Sequence, residues 1–140
     1  METVRQRPAL ITALLVGLWA PALMAKSKSS VDASYVSALA TANRFLQAWQ
    51  AQDHETGLIM LTDAVKRAAS QDRLQNFFSP GPDAAYTLGQ GKKVKVGRYS
   101  FPVALYRTAA GRKGTVVRPW YSQLVVVRAG KNDWAIDKLP

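Results

Sequence analysis

The sequence predicts an α+β domain in which N-terminal helices pack on a curved antiparallel sheet. Apolar residues recur at helical spacing between residues 31 and 78, and strand-type patterns occupy the chain after Pro82. The two kinds of pattern do not alternate, and helices followed by consecutive strands favour an antiparallel sheet with the helices on one face. With 140 residues, of which 48% are hydrophobic, the chain is long enough for one domain with one core.

The first 25 residues are predicted to be an export signal and not a part of the domain. Basic residues precede an apolar run at 9–24, and the small residues Ala22 and Ala25 suit signal peptidase. An uncleaved anchor is less favoured, because Gly17 and Pro21 interrupt the run and a spanning helix needs about 20 apolar residues. Cleavage after either alanine would leave the mature protein in the periplasm or outside the cell.

The domain itself is predicted to span 31–140, after a mobile polar leader at 26–30. Its first helix covers Val31 to Gln52, with Ser30 or Asp32 as its cap. Steps of three and four place one apolar stripe on a single helix face, namely Tyr35, Leu39, Ala42, Leu46 and Trp49. A stripe this broad needs an apolar partner of similar extent, and a curved sheet provides one.

A short second helix, a further helical segment and one more helical turn are predicted to follow, each after a residue that can cap it. Asp53 precedes the first, Thr62 or Asp63 the second, and Ser70 the third. The segment Ser79-Pro80-Gly81-Pro82 then ends the helical part, because proline lacks an amide donor and restricts the residue before it.

The remaining chain is predicted to form a strand at 86–88 and one or two more over 93–97 and 99–108, followed by a basic turn at 111–114. The glycines before the second of these indicate a kink or turn, since the lysines after them lack the spacing of a phosphate-binding loop. Pro102 cannot donate to a strand ladder, so it is expected on an edge strand or in a bulge.

The chain closes with a predicted hairpin of strands at 120–128 and 134–139 around a short loop. In the second strand, alternation places Asp137 on the face opposite to Trp134 and Ile136.

Three stretches carry a resemblance to a known superfamily: ANRFLQAWQAQD from Ala42, AAYTL from Ala84, and the ending SQLVVVRAGKNDWAIDKL from Ser122. By its order of elements, the chain resembles the nuclear transport factor 2-like superfamily, which has the SnoaL-like or cystatin-like cone fold, as a small exported bacterial member. The resemblance implies an apolar pocket between the concave face of the sheet and the helices. It also implies that a homodimer can form through the outer face of the sheet.

Five aromatic residues are the candidates for lining that pocket and binding a small apolar ligand, although each can also be core: Tyr35, Trp49, Tyr86, Trp120 and Trp134. A second candidate surface is basic. The net charge is +10, and the span from Ala84 to Asn132 contains ten Lys and Arg residues and no acid. Its turns predict an anionic partner at Lys92, Lys93, Lys95, Arg112 and Lys113.

An envelope polymer or lipid would supply such an anionic partner, and the alternative is a solvated surface. Nucleic acid is not expected as a partner, because export separates the protein from it.

No constellation of residues predicts a chemical reaction. The chain has no cysteine and one histidine, His54, so neither a metal site nor a cofactor is expected. Isomerase-type chemistry needs a carboxylate base in the pocket. The carboxylates considered are Asp53, Asp63 and Asp137, and none matches a catalytic motif. An exported non-catalytic binding or assembly domain is therefore favoured, with a small SnoaL-like or ketosteroid isomerase-like enzyme as the alternative.

Overall fold

A computed structural model describes residues 31–107 and 118–140. The predicted signal at 1–25, the leader at 26–30 and the basic turn with Arg112 and Lys113 lie outside these ranges. Their assignments therefore stay predictions. Among the helices of the described ranges, none combines the length and the apolar character that crossing a membrane requires.

In the described part of the chain, four helices precede five strands, which confirms the predicted α+β class. The helices are α1 Ala33–Gln50, α2 His54–Ile59, α3 Asp63–Ala68 and α4 Gln71–Phe77. The strands are β1 Ala85–Leu88, β2 Lys92–Lys95, β3 Arg98–Arg107, β4 Arg118–Arg128 and β5 Trp134–Lys138.

Each helix begins at one of the predicted caps, and each cap side chain accepts a hydrogen bond from a backbone amide two or three residues later. The four caps are Asp32, Asp53, Thr62 and Ser70. The first amides of a helix have no partner within it, so these bonds satisfy donors that would otherwise be left to water.

All strands pair antiparallel, in the order β1-β3-β4-β5, and β2 also pairs with β3. β1 and β2 follow one another along β3, because Leu88 pairs with Val103 and Lys92 pairs with Ser100. The predicted kink at 89–91 is therefore confirmed as the break in an otherwise continuous edge. On the other side of the sheet, β4 pairs with β5 only from Val125 onward.

Pro102 lies in the central strand β3, so its expected place on an edge strand was wrong. The Gly89 amide donates to the Pro102 carbonyl oxygen over 2.8 Å. Because the N and O atoms of one strand residue point to the same side, the position without an N–H faces the break between β1 and β2. A proline is tolerated there since neither β1 nor β2 continues past it, while β4 on the other side pairs without a break.

Helix α1 lies against the concave face of the sheet and forms the core with it. Ala38 and Ala42 are fully buried and let the helix approach closely, while Phe45, Leu46 and Trp49 are fully buried beside them. From the sheet, the fully buried side chains include Phe101, Leu105, Leu124, Val126 and Ile136. The middle of the cone is thus filled by the protein's own side chains.

The start of α1 is fixed to β3 by a hydrogen bond between a tyrosine and a helix cap. The Tyr99 hydroxyl of β3 donates to Asp32 Oδ2 over 2.6 Å. This bond is the main reason that the pKa of Asp32 is lowered, with the Ser34 amide contributing further. The same bond, together with burial, raises the pKa of Tyr99. The start of α1 is therefore tied to the sheet while Asp32 is ionised and Tyr99 is neutral.

A Tyr99→Phe substitution should lower the free energy of unfolding at neutral pH, and this difference from the unmodified protein should disappear in acid. A carboxyl whose pKa is lowered in the folded protein stabilises that protein at pH values above the ordinary pKa of 3.8. This contribution disappears as pH falls through the folded pKa. Urea unfolding of both proteins across this range measures the difference in free energy of unfolding. A difference that is unchanged at low pH would contradict the role assigned to Asp32.

A Gly91→Ala substitution should destabilise the domain by about 1–3 kcal/mol, because a new Cβ would overlap the ring of the fully buried Phe101. Gly130→Ala is the matched control. Its Cβ would lie 3.2 Å from the exposed and movable Asp133 carboxylate, so a change within about 0.5 kcal/mol is expected. Equal free energies of unfolding for the two variants would contradict the close approach at residue 91.

Candidate ligand-binding site at the cone mouth

A cavity of about 180 Å³ lies where α4, the end of β3 and the start of β4 meet. Six of the residues that line it are Arg73, Phe77, Arg107, Trp120, Leu139 and Pro140. We call this space the mouth cavity. It lies beside the filled core and is open to solvent.

The pairing of β3 with β4 places the two most prominent side chains of the mouth cavity. Trp120 pairs with Leu105, which is fully buried on the concave face. Arg107 lies two residues after Leu105 and therefore faces the same side of the sheet. The core-facing row of β3 thus ends in a cation, and Trp120, which is 48% exposed, lies beside it.

Three aromatic rings surround the Arg107 guanidinium. Its central carbon lies 6.0 Å from the ring centroid of Trp49, 6.0 Å from that of Phe77 and 5.8 Å from that of Trp120. Each distance is within the range of a cation–π interaction. Burial lowers the pKa of Arg107. An arginine nevertheless stays protonated in proteins, so the mouth cavity is bordered by a permanent positive charge.

Arg107 has few polar partners in the part of the chain that the structure describes. One terminal nitrogen, Nη2, donates to the Phe77 carbonyl oxygen over 3.2 Å. The ion pair found within residues 31–107 and 118–140 joins Arg98 to Asp137 and does not involve Arg107. Two buried donors, Arg107 Nε and Trp49 Nε1, have no hydrogen-bond partner there. Both atoms are donors, so this region has more N–H groups than hydrogen-bond acceptors.

The five predicted pocket residues fall into separate places. Trp49 and Trp120 meet at Arg107, although Trp49 is a fully buried core residue. Tyr35 and Trp134 lie around Tyr99, with each ring centroid 5.8 Å from that of Tyr99. Trp134 also lines a separate cavity of about 800 Å³.

Tyr86 lies on the concave face, because it pairs with the fully buried Leu105 from the side opposite to Trp120. Its hydroxyl is held away from the mouth cavity's lining, since it donates to Asn43 Oδ1 over 2.7 Å. Of the five residues, Trp120 therefore lines the mouth cavity, and Trp49 contacts Arg107 from the core behind it.

The predicted basic residues also lie in separate places. Lys92, Lys93 and Lys95 form most of β2 and are exposed. Lys92 pairs with Ser100 and Lys93 with Tyr99, so their side chains point to opposite faces of the sheet. Val94 and Val96 lie among them and are 58% and 87% exposed. Arg112 and Lys113 fall outside the described residues.

The three carboxylates considered for catalysis have other places in the fold. Asp53 caps α2, and Asp63 lies in the first turn of α3. Asp137 accepts a hydrogen bond from the Thr62 hydroxyl over 2.9 Å and pairs with Arg98 over 2.6 Å. This position confirms that Asp137 faces away from the buried Ile136. None of the three lines the mouth cavity.

His54 opens α2 with its ring centroid 5.9 Å from that of Phe78. Residues 31–107 and 118–140 contain no cluster of three or more groups that could hold a metal ion.

Sequence analysis did not single out Arg107 from the ten basic residues of the acid-free span. One signal was present in the sequence. Large apolar residues stand at alternate positions 99, 101, 103 and 105, and Arg107 is the next position in the same row. The enclosing rings were not visible, since they come from α1, α4 and β4.

No family model matches the chain, and no curated protein matches it either. A structural comparison finds a ketosteroid isomerase-like protein from Erwinia carotovora atroseptica, with a TM-score of 0.55 and 18% identity over 76% of this chain and 92% of that one. The fold is that of the nuclear transport factor 2-like cone.

An uncharacterised cystatin-fold protein from Novosphingobium aromaticivorans also matches, with a TM-score of 0.49 and 16% identity over 74% of this chain and 98% of that one. Identities this low concern the fold alone, and cone folds carry both enzymes and binding domains. The function has to be argued from the mouth cavity itself.

Proposed function

We propose that this protein is an exported, non-catalytic binding or assembly domain, and that the mouth cavity is its ligand site. The observation that carries the proposal is the environment of Arg107. A charged side chain is held among three aromatic rings beside open space, and that combination of apolar walls and one oriented polar group is typical of small-molecule sites.

The positions of the acids favour binding over catalysis of the isomerase type. That chemistry needs a carboxylate in an apolar pocket, where burial keeps it basic enough to accept a proton. Here Asp53 caps a helix, and Asp137 is held by Arg98 and Thr62. Asp63 lies in the first turn of α3 and lines a separate cavity of about 800 Å³, not the mouth cavity. The cation in the mouth cavity would stabilise a bound negative charge, but it cannot act as a base.

Export is the second part of the proposal and rests on the sequence of residues 1–25. Two arginines, an apolar run and small residues at Ala22 and Ala25 form the order that signal peptidase recognises. The ligand would then be a molecule of the periplasm or of the cell exterior, or the partner would be an envelope protein.

Protein purified under native conditions from the cell envelope should carry a small molecule that mass spectrometry detects after denaturation. N-terminal sequencing of the same preparation should show a start at Leu23 or Lys26. A buffer-only sample and a Trp120→Ala variant, which removes one wall of the mouth cavity, are the controls. A chemically altered molecule released after incubation would favour the enzyme, and recovery of Met1 would contradict cleavage.

A second candidate function has its own observation. The β2 edge presents three lysines together with the exposed apolar residues Val94 and Val96. Cations attract anionic headgroups and exposed apolar side chains enter the lipid interface, so this edge suits the surface of an anionic membrane. An acidic envelope polymer would use the lysines but not the valines.

Anionic vesicles should retain the protein at low salt and release it as salt rises, because charges are screened over about 10 Å at about 0.1 M salt. A Lys92→Gln, Lys93→Gln, Lys95→Gln variant should be retained several-fold less. A variant with Val94 and Val96 changed to Ser separates lipid insertion from attraction to charge alone. Equal retention of the lysine variant and the unmodified protein would leave the edge as a solvated surface.

The predicted homodimer through the outer face of the sheet also stays a proposal. On that face Tyr121 is 74% exposed and lies beside the exposed Pro102. These residues are far from the Arg107 row, which faces the concave side, so a dimer would leave the mouth cavity open.

A further inference from the structure

Arg107 forms no ion pair within residues 31–107 and 118–140. The guanidinium is partly withdrawn from water, and its carbonyl partner at Phe77 is a neutral group. Withdrawing an ion from water without an opposite charge is unfavourable. The cation–π contacts offset a part of this cost. A bound anion would offset more of it, because it supplies the missing opposite charge at short range.

The hydrogen-bonding groups select the kind of anion. A guanidinium has five N–H donors and no acceptor, and one protein acceptor for Arg107 is found in the described residues. The other polar side chain named in the lining, Arg73, is also a donor without an acceptor atom. The complementary group therefore accepts hydrogen bonds only. A carboxylate satisfies this requirement, and its two oxygens match two adjacent N–H groups of a guanidinium.

The walls and the volume limit what the anion is attached to. The rings of Phe77 and Trp120 and the side chain of Leu139 are apolar, and the exposed Arg73 adds a second positive charge at the rim. A volume of about 180 Å³ equals roughly six water molecules at about 30 Å³ each. This is enough for a carboxylate and a short hydrocarbon chain or one ring, with the remainder extending into solvent.

We propose that the mouth cavity binds a small apolar carboxylate, such as a short fatty or aromatic acid, whose carboxylate pairs with Arg107 and whose hydrocarbon part lies between Phe77 and Trp120. The inference rests on the proposed binding function and specifies its ligand class. Arg107 is then the specificity-determining residue, because an uncharged analogue of the same shape leaves the guanidinium without its counter-charge.

The test uses two acid–amide pairs as probes, hexanoate with hexanamide and benzoate with benzamide. Binding to the purified protein is measured by calorimetry and by tryptophan fluorescence, since Trp120 borders the cavity. The acids should bind at least about tenfold more tightly than their amides, which is the effect of one hydrogen bond to a charged group. Equal affinity of acid and amide would overturn the inference without using any variant.

Three variants locate the site. Arg107→Met should weaken binding of both acids by at least about tenfold, and Arg107→Lys should weaken it less, because it keeps the charge but loses the planar fork. Arg67→Met is the matched control. It removes the same charge from an exposed position on α3 outside the mouth cavity, so affinity should stay within about twofold.

Thermal unfolding of each variant shows whether it is folded. If Arg107→Met does not fold, the Arg107→Lys variant and the acid–amide comparison decide the result. Wild-type affinity in a folded Arg107→Met variant would overturn the site.

Failure of this inference is distinguishable from failure of the proposed function. Recovery of a neutral molecule by mass spectrometry, together with equal binding of acids and amides, would support the binding function and contradict the carboxylate as its ligand. If no small molecule is recovered and no probe binds to the folded protein, the mouth cavity is rejected as a ligand site altogether.

Discussion

The burial of α1 against the concave face of the sheet is the contact on which the rest of the structure depends. Ala38 and Ala42 allow close approach, and Phe45, Leu46 and Trp49 fill the space beyond them. Because β3 and β4 supply the opposite wall, the sheet has to curve around the helix to cover this stripe. At one end of this contact the Tyr99 hydroxyl holds the Asp32 cap, and at the other end the mouth cavity lies beside Arg107.

Features that depend on neighbouring residues could be predicted from the sequence. The caps Asp53 and Ser70 are examples, because a cap needs only its own side chain and an amide three residues later. The alternation that turns Asp137 away from Ile136 is equally local. Pro102 was misplaced because its tolerance depends on a break between two strands that precede it by about ten residues. The residues next to the proline do not indicate pairing of that kind.

The candidate site was predicted less completely than the fold, and the geometry of α1 explains part of the difference. Tyr35 and Trp49 lie fourteen residues apart on this helix, which corresponds to about 21 Å along its axis at 1.5 Å per residue. One small ligand cannot contact both. Helical spacing showed that they share a face, but it also separates them along the axis. Arg107 was missed for a different reason, because the three rings around it come from elements that are distant from it in sequence.

The late start of the β4–β5 pairing has a consequence for how this protein avoids aggregation. Residues 118–124 of β4 have β3 on one side and no described strand on the other, so this half of β4 is a sheet edge. An open edge is a template for a strand of another chain. Pro119 removes one of the amide donors that such a strand would need, and Arg118 places a charge at the start of the edge. The stretch left for pairing is short, which limits the edge-to-edge growth that leads to fibrils.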